Sequence, residues 1–151
     1  MRIVLQRGAW ARVHVDGREG GAIGPGLLAL VGAARGDTAA EAERLAAKTV
    51  RLRLFDGPER PFDVPLTGLP GGGLLCVSQF TLLGDVRKGN RPSWSDAAPG
   101  DEAEPLVETY AAAVAAHGVA VARGRFGAHM DVSLLNDGPV TLVLDGAAMA
   151  A

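Results

Sequence analysis

The stretch Leu27-Leu28-Ala29-Leu30-Val31-Gly32 is apolar at five consecutive positions and closes on a glycine. Unbroken apolarity over so short a run predicts a strand buried on both faces. Upstream, Ile3 and Leu5 alternate with Val4 and Gln6, and Val13 and Val15 alternate with His14 and Asp16. Alternation of this kind predicts two further strands, followed by turn residues from Gly17 to Gly21.

Downstream of the run, Thr38-Ala39-Ala40-Glu41 matches a capping box, in which hydroxyl and carboxylate each satisfy an orphan backbone N–H. Leu45, Thr49 and Leu52 follow at helical spacing, with Arg44, Lys48 and Arg51 largely off that stripe. Phe55-Asp56-Gly57-Pro58 ends the segment, and the Pro- and Gly-rich chain to Gly73 reads as an irregular loop with one edge strand. Leu74 to Phe80 is the next strand, with Thr81 to Leu83 continuing it. Gly84 to Gly100 is a polar loop longer than most connections in compact domains. Asp101 reads as an N-cap with Glu104 three residues on, and Pro105 falls in the first turn, where a missing N–H costs least. Leu106, Tyr110, Ala113 and Val114 form the buried face of this second helix, and Gly118 closes it. Val119/Val121, Met130/Val132/Leu134 and Val140/Leu142/Leu144 return to strand alternation. The order predicts an α/β layered domain over residues 1–151, of mostly antiparallel, barrel-like strands covered by two helices, and not a doubly wound fold. No glycine-rich fingerprint joins a strand to a helix, which argues against dinucleotide binding.

At 151 residues the chain fits one domain with a real core. Its net charge of −2 and pI near 5.9 confine any nucleic-acid contact to a local patch. The single cysteine, Cys76, lies in the apolar run Leu74-Leu75-Cys76-Val77 and reads as a buried small hydrophobe in a reducing compartment. No targeting segment or bilayer-length apolar stretch is visible, so the cytoplasm is the expected location and no membrane partner is expected.

Read one at a time, the segments with chemistry are modest. His14, His117 and His129 are far apart and form no spaced ligand pair, so no metal is expected; His117 precedes Gly118 and suits a helix C-terminus. Ser78 lacks a nucleophile elbow and marked triad partners, and Ser78-Gln79-Phe80-Thr81 alone is a strand end with hydroxyls. Arg87-Lys88-Gly89-Asn90-Arg91-Pro92 places Arg87, Lys88 and Arg91 within five positions, suiting either phosphate contact or a solvated loop. Asn136-Asp137-Gly138-Pro139 sits between two patterned strands and reads as a hairpin turn.

Together they carry more. Val77-Ser78-Gln79-Phe80-Thr81-Leu82, Lys88-Gly89-Asn90-Arg91-Pro92-Ser93, Gly124-Arg125-Phe126-Gly127 and Met130-Asp131-Val132-Ser133-Leu134-Leu135-Asn136-Asp137-Gly138-Pro139-Val140-Thr141 occur in that order with fitting separations. The chain resembles the D-aminoacyl-tRNA deacylases (D-tyrosyl-tRNA(Tyr) deacylases), as do Gln6-Arg7 and Ile23-Gly24-Pro25-Gly26-Leu27-Leu28. The likeness covers nearly the whole chain.

The resemblance implies a homodimeric hydrolase without cofactor that cleaves the ester of D-aminoacyl-tRNA, with glycyl-tRNA as a further substrate. Its partner would be the aminoacylated tRNA 3′ end, not DNA. Ser78, Gln79, Phe80 and Thr81 would form the catalytic pocket around the terminal adenosine and scissile ester. Gly138-Pro139 would be a cis dipeptide that one subunit inserts into the partner's site, its carbonyls rejecting an L side chain. Met130 would wall the pocket, Asn136 would support it, and Arg7 would tether the Gly138-Pro139 loop. Arg87, Lys88 and Arg91 would contact tRNA. The sequence departs from the family at Arg60-Pro61-Phe62-Asp63-Val64-Pro65, at Gly8 and Arg12, and at His129. Two rival readings are a non-catalytic RNA-binding module of the same fold and a small-molecule esterase using Ser78.

Overall fold

The structure, a computed structural model, describes residues 1–150. In chain order the elements are β1 (Arg2–Val15), β2 (Arg18–Ile23), β3 (Gly26–Gly32), α1 (Ala39–Arg51), β4 (Arg53–Phe55), β5 (Val64–Pro65), β6 (Gly73–Ser78), α2 (Gly100–Ala116), β7 (Ala120–Arg123), β8 (Asp131–Asp145) and the short α3 (Gly146–Met149). Single 3-10 turns span Leu66–Gly68 and Phe80–Leu83.

The main sheet runs β2-β1-β3-β6-β7, and β8 pairs with β1 on its other edge. Strand β1 serves two neighbours on one side, β3 through its first half and β2 through its second. The β1 pairings are antiparallel, whereas β3–β6 and β6–β7 are parallel. Parallel neighbours need a crossover, and these two crossovers contain α1 and α2 respectively. The sheet is nearly closed, because β2 returns against β7: a Cβ on Gly21 would lie 2.7 Å from the Arg123 carbonyl oxygen.

Alternate residues of β3 and β6 explain their continuous apolarity. Leu27, Ala29, Val31, Leu74 and Cys76 face the helices with Leu45, Val50, Tyr110 and Val114. Leu28, Leu75 and Val77 face inward with Ala11 and Val13, covered by Val132 and Leu134 of β8. The two helices are fastened to each other by the buried hydroxyls of Thr49 and Tyr110, 2.9 Å apart. Among the described residues, no helix is long and apolar enough to cross a membrane.

Several local expectations are corrected. Thr38 caps α1, its hydroxyl accepting from Glu41 N at 3.3 Å, but the Glu41 carboxylate does not reciprocate; it accepts from the Met1 amino group at 2.9 Å. Helix α1 ends at Arg51, and Arg53–Phe55 becomes the strand partner of Val64–Pro65. Turn residues from Gly17 to Gly21 mostly form β2, because β1 supplies a ladder from Ala11 to Val15. Helix α2 begins two residues earlier than expected, capped by the Pro99 backbone, whose carbonyl accepts from Glu102 and Ala103. Asp101 is therefore inside the helix, and Pro105 lies beyond the first turn, so the Asp101 carbonyl has no i+4 N–H. Leu106 and Ala113 are only partly buried.

Candidate functional site

Strand β6 ends because its partner does. Its register with β3 runs to Val31↔Ser78, and Gln79 N still donates to Val31 O at 2.8 Å. Next to it, Gly32 has no side chain: a Cβ there would sit 2.8 Å from Gln79 O and 2.6 Å from Leu83 Cδ2. The chain uses that space to turn, so Phe80–Leu83 is a 3-10 turn and not the expected continuation of the strand. Leu82 N donates to Gln79 O, while the N–H groups of Phe80 and Thr81 have no protein acceptor among the described residues. Free donors at the start of such a turn can receive an oxyanion.

Ser78, Gln79 and Phe80 line a cavity of about 380 Å³ together with Met130, Phe126 and His129. Ala98 and Ala103, at the entrance to α2, complete it. These alanines carry no sequence signal, since alanine is common in any helix; only the approach of α2 to β3 brings them to the site. Phe126 lies in the Gly124-Arg125-Phe126-Gly127 motif but is not among the residues expected to act. The walls are largely apolar, with His129 the only ionisable side chain lining them among the described residues. Such a pocket suits a flat, weakly polar group held by a few directed hydrogen bonds. Thr81 does not line it; its hydroxyl accepts from the Gln79 side-chain amide and its side chain is exposed. Phe80 is 55% exposed and meets Trp94 edge-on, with ring centroids 5.3 Å apart.

Among the described residues, no hydrogen bond joins Ser78 or Thr81 to a histidine or carboxylate. Among the described residues, no cluster of three or more His, Cys, Asp and Glu is placed to hold a metal ion. A second cleft shares Ser78 and reaches Cys76 and the Arg123–Glu108 pair, where Arg123 donates twice at 2.9 Å. Burial pushes the Cys76 thiol up to about 12, so it stays a neutral thiol near pH 7. His117 is the C-cap of α2 and exposed, and His14 lies in β1 opposite Glu19 and Asp131.

The Asn136–Pro139 segment is not a hairpin turn. Both flanks of it pair with the same strand: Thr141 lies opposite Gln6, and Asn136 opposite Gly8. Arg7 alone faces Asp137-Gly138-Pro139-Val140, so these residues are extruded from a continuous β8 as a large bulge. The Asn136 side chain closes its base, accepting from Val140 N at 3.0 Å and donating to Thr141 Oγ1 at 3.0 Å. The Gly138-Pro139 bond is cis, and Gly138 has φ +137°, open to glycine. Asp137, Gly138 and Pro139 are exposed, and none lines the cavity that holds Ser78 and Met130.

Arg7 is only 8% exposed. Its Nε donates to Asp137 O at 2.9 Å and its Nη1 to Leu54 O at 2.8 Å. In the polar loop, Asp85 and Ser93 exchange backbone hydrogen bonds at 2.8 Å, and Arg87 clasps Asp85 through both carboxylate oxygens. That contact holds the Asp85 carboxyl down at about 2. Arg87 is therefore a brace of the loop, while Lys88 and Arg91 are exposed and make no ion pair among the described residues.

The D-Tyr-tRNA(Tyr) deacylase family model matches residues 4–145. The D-aminoacyl-tRNA deacylase of Roseiflexus castenholzii is 54% identical over 147 residues, covering 97% of this chain and 93% of that protein. That of Thermomicrobium roseum is 53% identical, covering 97% and 95%. Among solved structures, one described as a c-Myc DNA Unwinding Element Binding Protein superposes with TM-score 0.88 at 35% identity, covering 96% of this chain and 98% of that one. A "probable eukaryotic D-amino acid tRNA deacylase" superposes with TM-score 0.79 at 18% identity, covering 95% and 97%, which supports the fold alone.

Proposed function

The chain belongs to the D-Tyr-tRNA(Tyr) deacylase family, and from that premise we propose that it hydrolyses the ester of D-aminoacyl-tRNA as a single-domain subunit of a homodimer. The observation that carries the reading is the separation of two parts within one chain. The pocket at Ser78–Phe80 and Met130 is concave and apolar, while the cis Gly138-Pro139 dipeptide projects outward, away from it. A second subunit supplying its Gly138-Pro139 would complete the first subunit's pocket.

In this mechanism the terminal adenosine enters between Phe126 and Met130, and Ser78 and Gln79 orient the ribose and ester. The free N–H groups of Phe80 and Thr81 receive the oxyanion that forms when water attacks the ester carbonyl. With no base bonded to Ser78 or Thr81, the terminal 2′-hydroxyl of the tRNA assists the water, and the protein contributes orientation. The partner's Gly138 and Pro139 carbonyls face the α-carbon and exclude an L side chain, so selectivity arises from a clash with the wrong substrate. Glycine offers no side chain to reject, and glycyl-tRNA is cleaved too. Arg7 keeps the filter in place, Asn136 closes its base, and Lys88 and Arg91 meet the tRNA backbone with Arg87 bracing their loop.

Deacylation of matched D-Tyr-tRNA and L-Tyr-tRNA tests the proposal. Rapid loss of the D ester with the L ester left intact is expected; equal turnover of both would overturn it. The structural likeness to a protein described as binding a DNA unwinding element favours, as a second reading, a nucleic-acid-binding module. Binding of either charged tRNA without ester loss would establish that reading instead.

A further inference from the structure

The loop between β4 and β5 leaves an aromatic side chain largely outside the core. Phe62 is 53% exposed, so its ring is not there to fill the core. It nonetheless sits at φ +51°, a left-handed backbone conformation that bulky side chains rarely adopt. Strain of this kind persists only where neighbouring contacts over-determine it, and it marks places where geometry serves a function.

Those contacts converge on Arg7. The Phe62 ring lies over the Arg7 guanidinium, 5.6 Å from ring centroid to Cζ. The Asp56 carboxylate accepts from Phe62 N at 3.2 Å and, through the same oxygen, from Arg7 Nη1 at 3.5 Å. Phe55 O accepts from Asp63 N at 2.9 Å, Gly57 N donates to Arg60 O at 2.9 Å, and Arg60 clasps Asp63 at 2.9 Å, so the loop is braced internally. The edge of the guanidinium is fixed by Leu54 O, Asp56 and Asp137 O, and one face is closed by the ring. A guanidinium held on edge and face cannot roll about its own stem, so its Nε stays aimed at Asp137 O.

The geometry points to Phe62 and Asp56 as positioning residues for chiral selection. They fix Arg7, and Arg7 fixes the bulge that carries Gly138 and Pro139. The inference rests on the cross-subunit filter proposed above. It assigns a task to the segment Arg60 to Pro65, whose Phe62 ring lies against the buried cation.

The experiment measures initial rates on D-Tyr-tRNA and L-Tyr-tRNA for the wild type, Phe62→Leu, Phe62→Trp, Arg7→Lys and Arg7→Lys/Phe62→Leu. Phe62→Leu keeps an apolar side chain but loses the π face. It should lower the D-to-L rate ratio roughly two- to fivefold, the scale of a half-exposed cation–π contact, chiefly by raising the L rate. Phe62→Trp should restore the ratio. In the Arg7→Lys background Phe62→Leu should add nothing, since the ring acts only through the guanidinium. An unchanged ratio in Phe62→Leu, or the same loss in both backgrounds, overturns the inference. Should Phe62→Leu not fold, Asp56→Ala takes its place with the same expected coupling to Arg7. A wild type that cleaves both esters equally sinks the filter itself, whereas a selective wild type with an indifferent Phe62 sinks only this clamp.

Discussion

Arg7 reaches across the β1–β8 ladder to Asp137, donating Nε–H to its carbonyl oxygen at 2.9 Å. The same guanidinium holds Leu54 O at 2.8 Å, so one buried cation ties β1 to both the β4 strand and the extruded bulge of β8. Neither carbonyl could find a substitute partner in a side chain without N–H groups.

Arg7→Met should therefore destabilise the fold as well as loosen the bulge. Two hydrogen bonds from a charged donor are lost and the buried Leu54 carbonyl oxygen is left unpaired, costing roughly 2–4 kcal/mol. Urea unfolding of the two proteins measures this. A difference under about 0.5 kcal/mol, the scale of an ordinary surface change, would show that Arg7 is not a structural tie.

The Thr49–Tyr110 pair predicts an asymmetry. Thr49 donates its proton to Leu45 O at 2.9 Å, so Tyr110 must donate to Thr49 Oγ1. Tyr110→Phe removes a donor and leaves the Thr49 proton bonded, costing about 0.5–1.5 kcal/mol; Thr49→Val strands a fully buried phenol O–H, costing about 1–3 kcal/mol. Equal losses, or a larger loss for Tyr110→Phe, would contradict the assigned direction.

Cys76 should be chemically silent in the native protein. Its thiol is raised from 9.0 to about 12 by burial. Alkylation by iodoacetamide at pH 8 should be at least roughly tenfold slower than for the urea-unfolded chain, as thiolate and access are both lacking. The raised value also fixes a sign. Stability from burying the neutral thiol is complete below pH 9.0 and is lost as pH rises from there toward about 12. Tyr110, also pushed upward by burial, acts in the same direction. Cys76→Ala should flatten this alkaline decline in urea titrations; an equally steep decline would remove Cys76 as its source.

Thr81→Ala should keep most deacylation, within about tenfold of wild type, because a positioned water rather than a side-chain nucleophile attacks. A charged tRNA ending in 2′-deoxyadenosine should lose far more, about a hundredfold, the lower range for a lost general acid–base group. The opposite ranking in single-turnover rates would make Thr81 a direct participant.

Much of the architecture could be read from local chemistry. The apolar run at Leu27–Val31 does lie in a doubly covered strand, and Thr38 does cap the first helix. Both succeed because burial pattern and capping are decided within a few residues. The expectations that failed depended on distant partners. Glu41 turns to the Met1 amino group, Gly17 to Gly21 enters a ladder that β1 supplies, and Phe80–Leu83 coils because Gly32 leaves it room.

The segments Ser78-Gln79-Phe80-Thr81 and Asn136-Asp137-Gly138-Pro139 marked the family by sequence alone, since residue types in order are a one-dimensional signal. Only the tertiary structure decided what surrounds them. The second segment is a bulge opposite Arg7 rather than a hairpin turn, because both its flanks pair with one strand. Arg7 is a buried anchor, and Arg87 a brace spent on Asp85, although both are equally cationic in the sequence. Partner and burial, which set what a charge does, are properties of contacts between residues far apart in the chain.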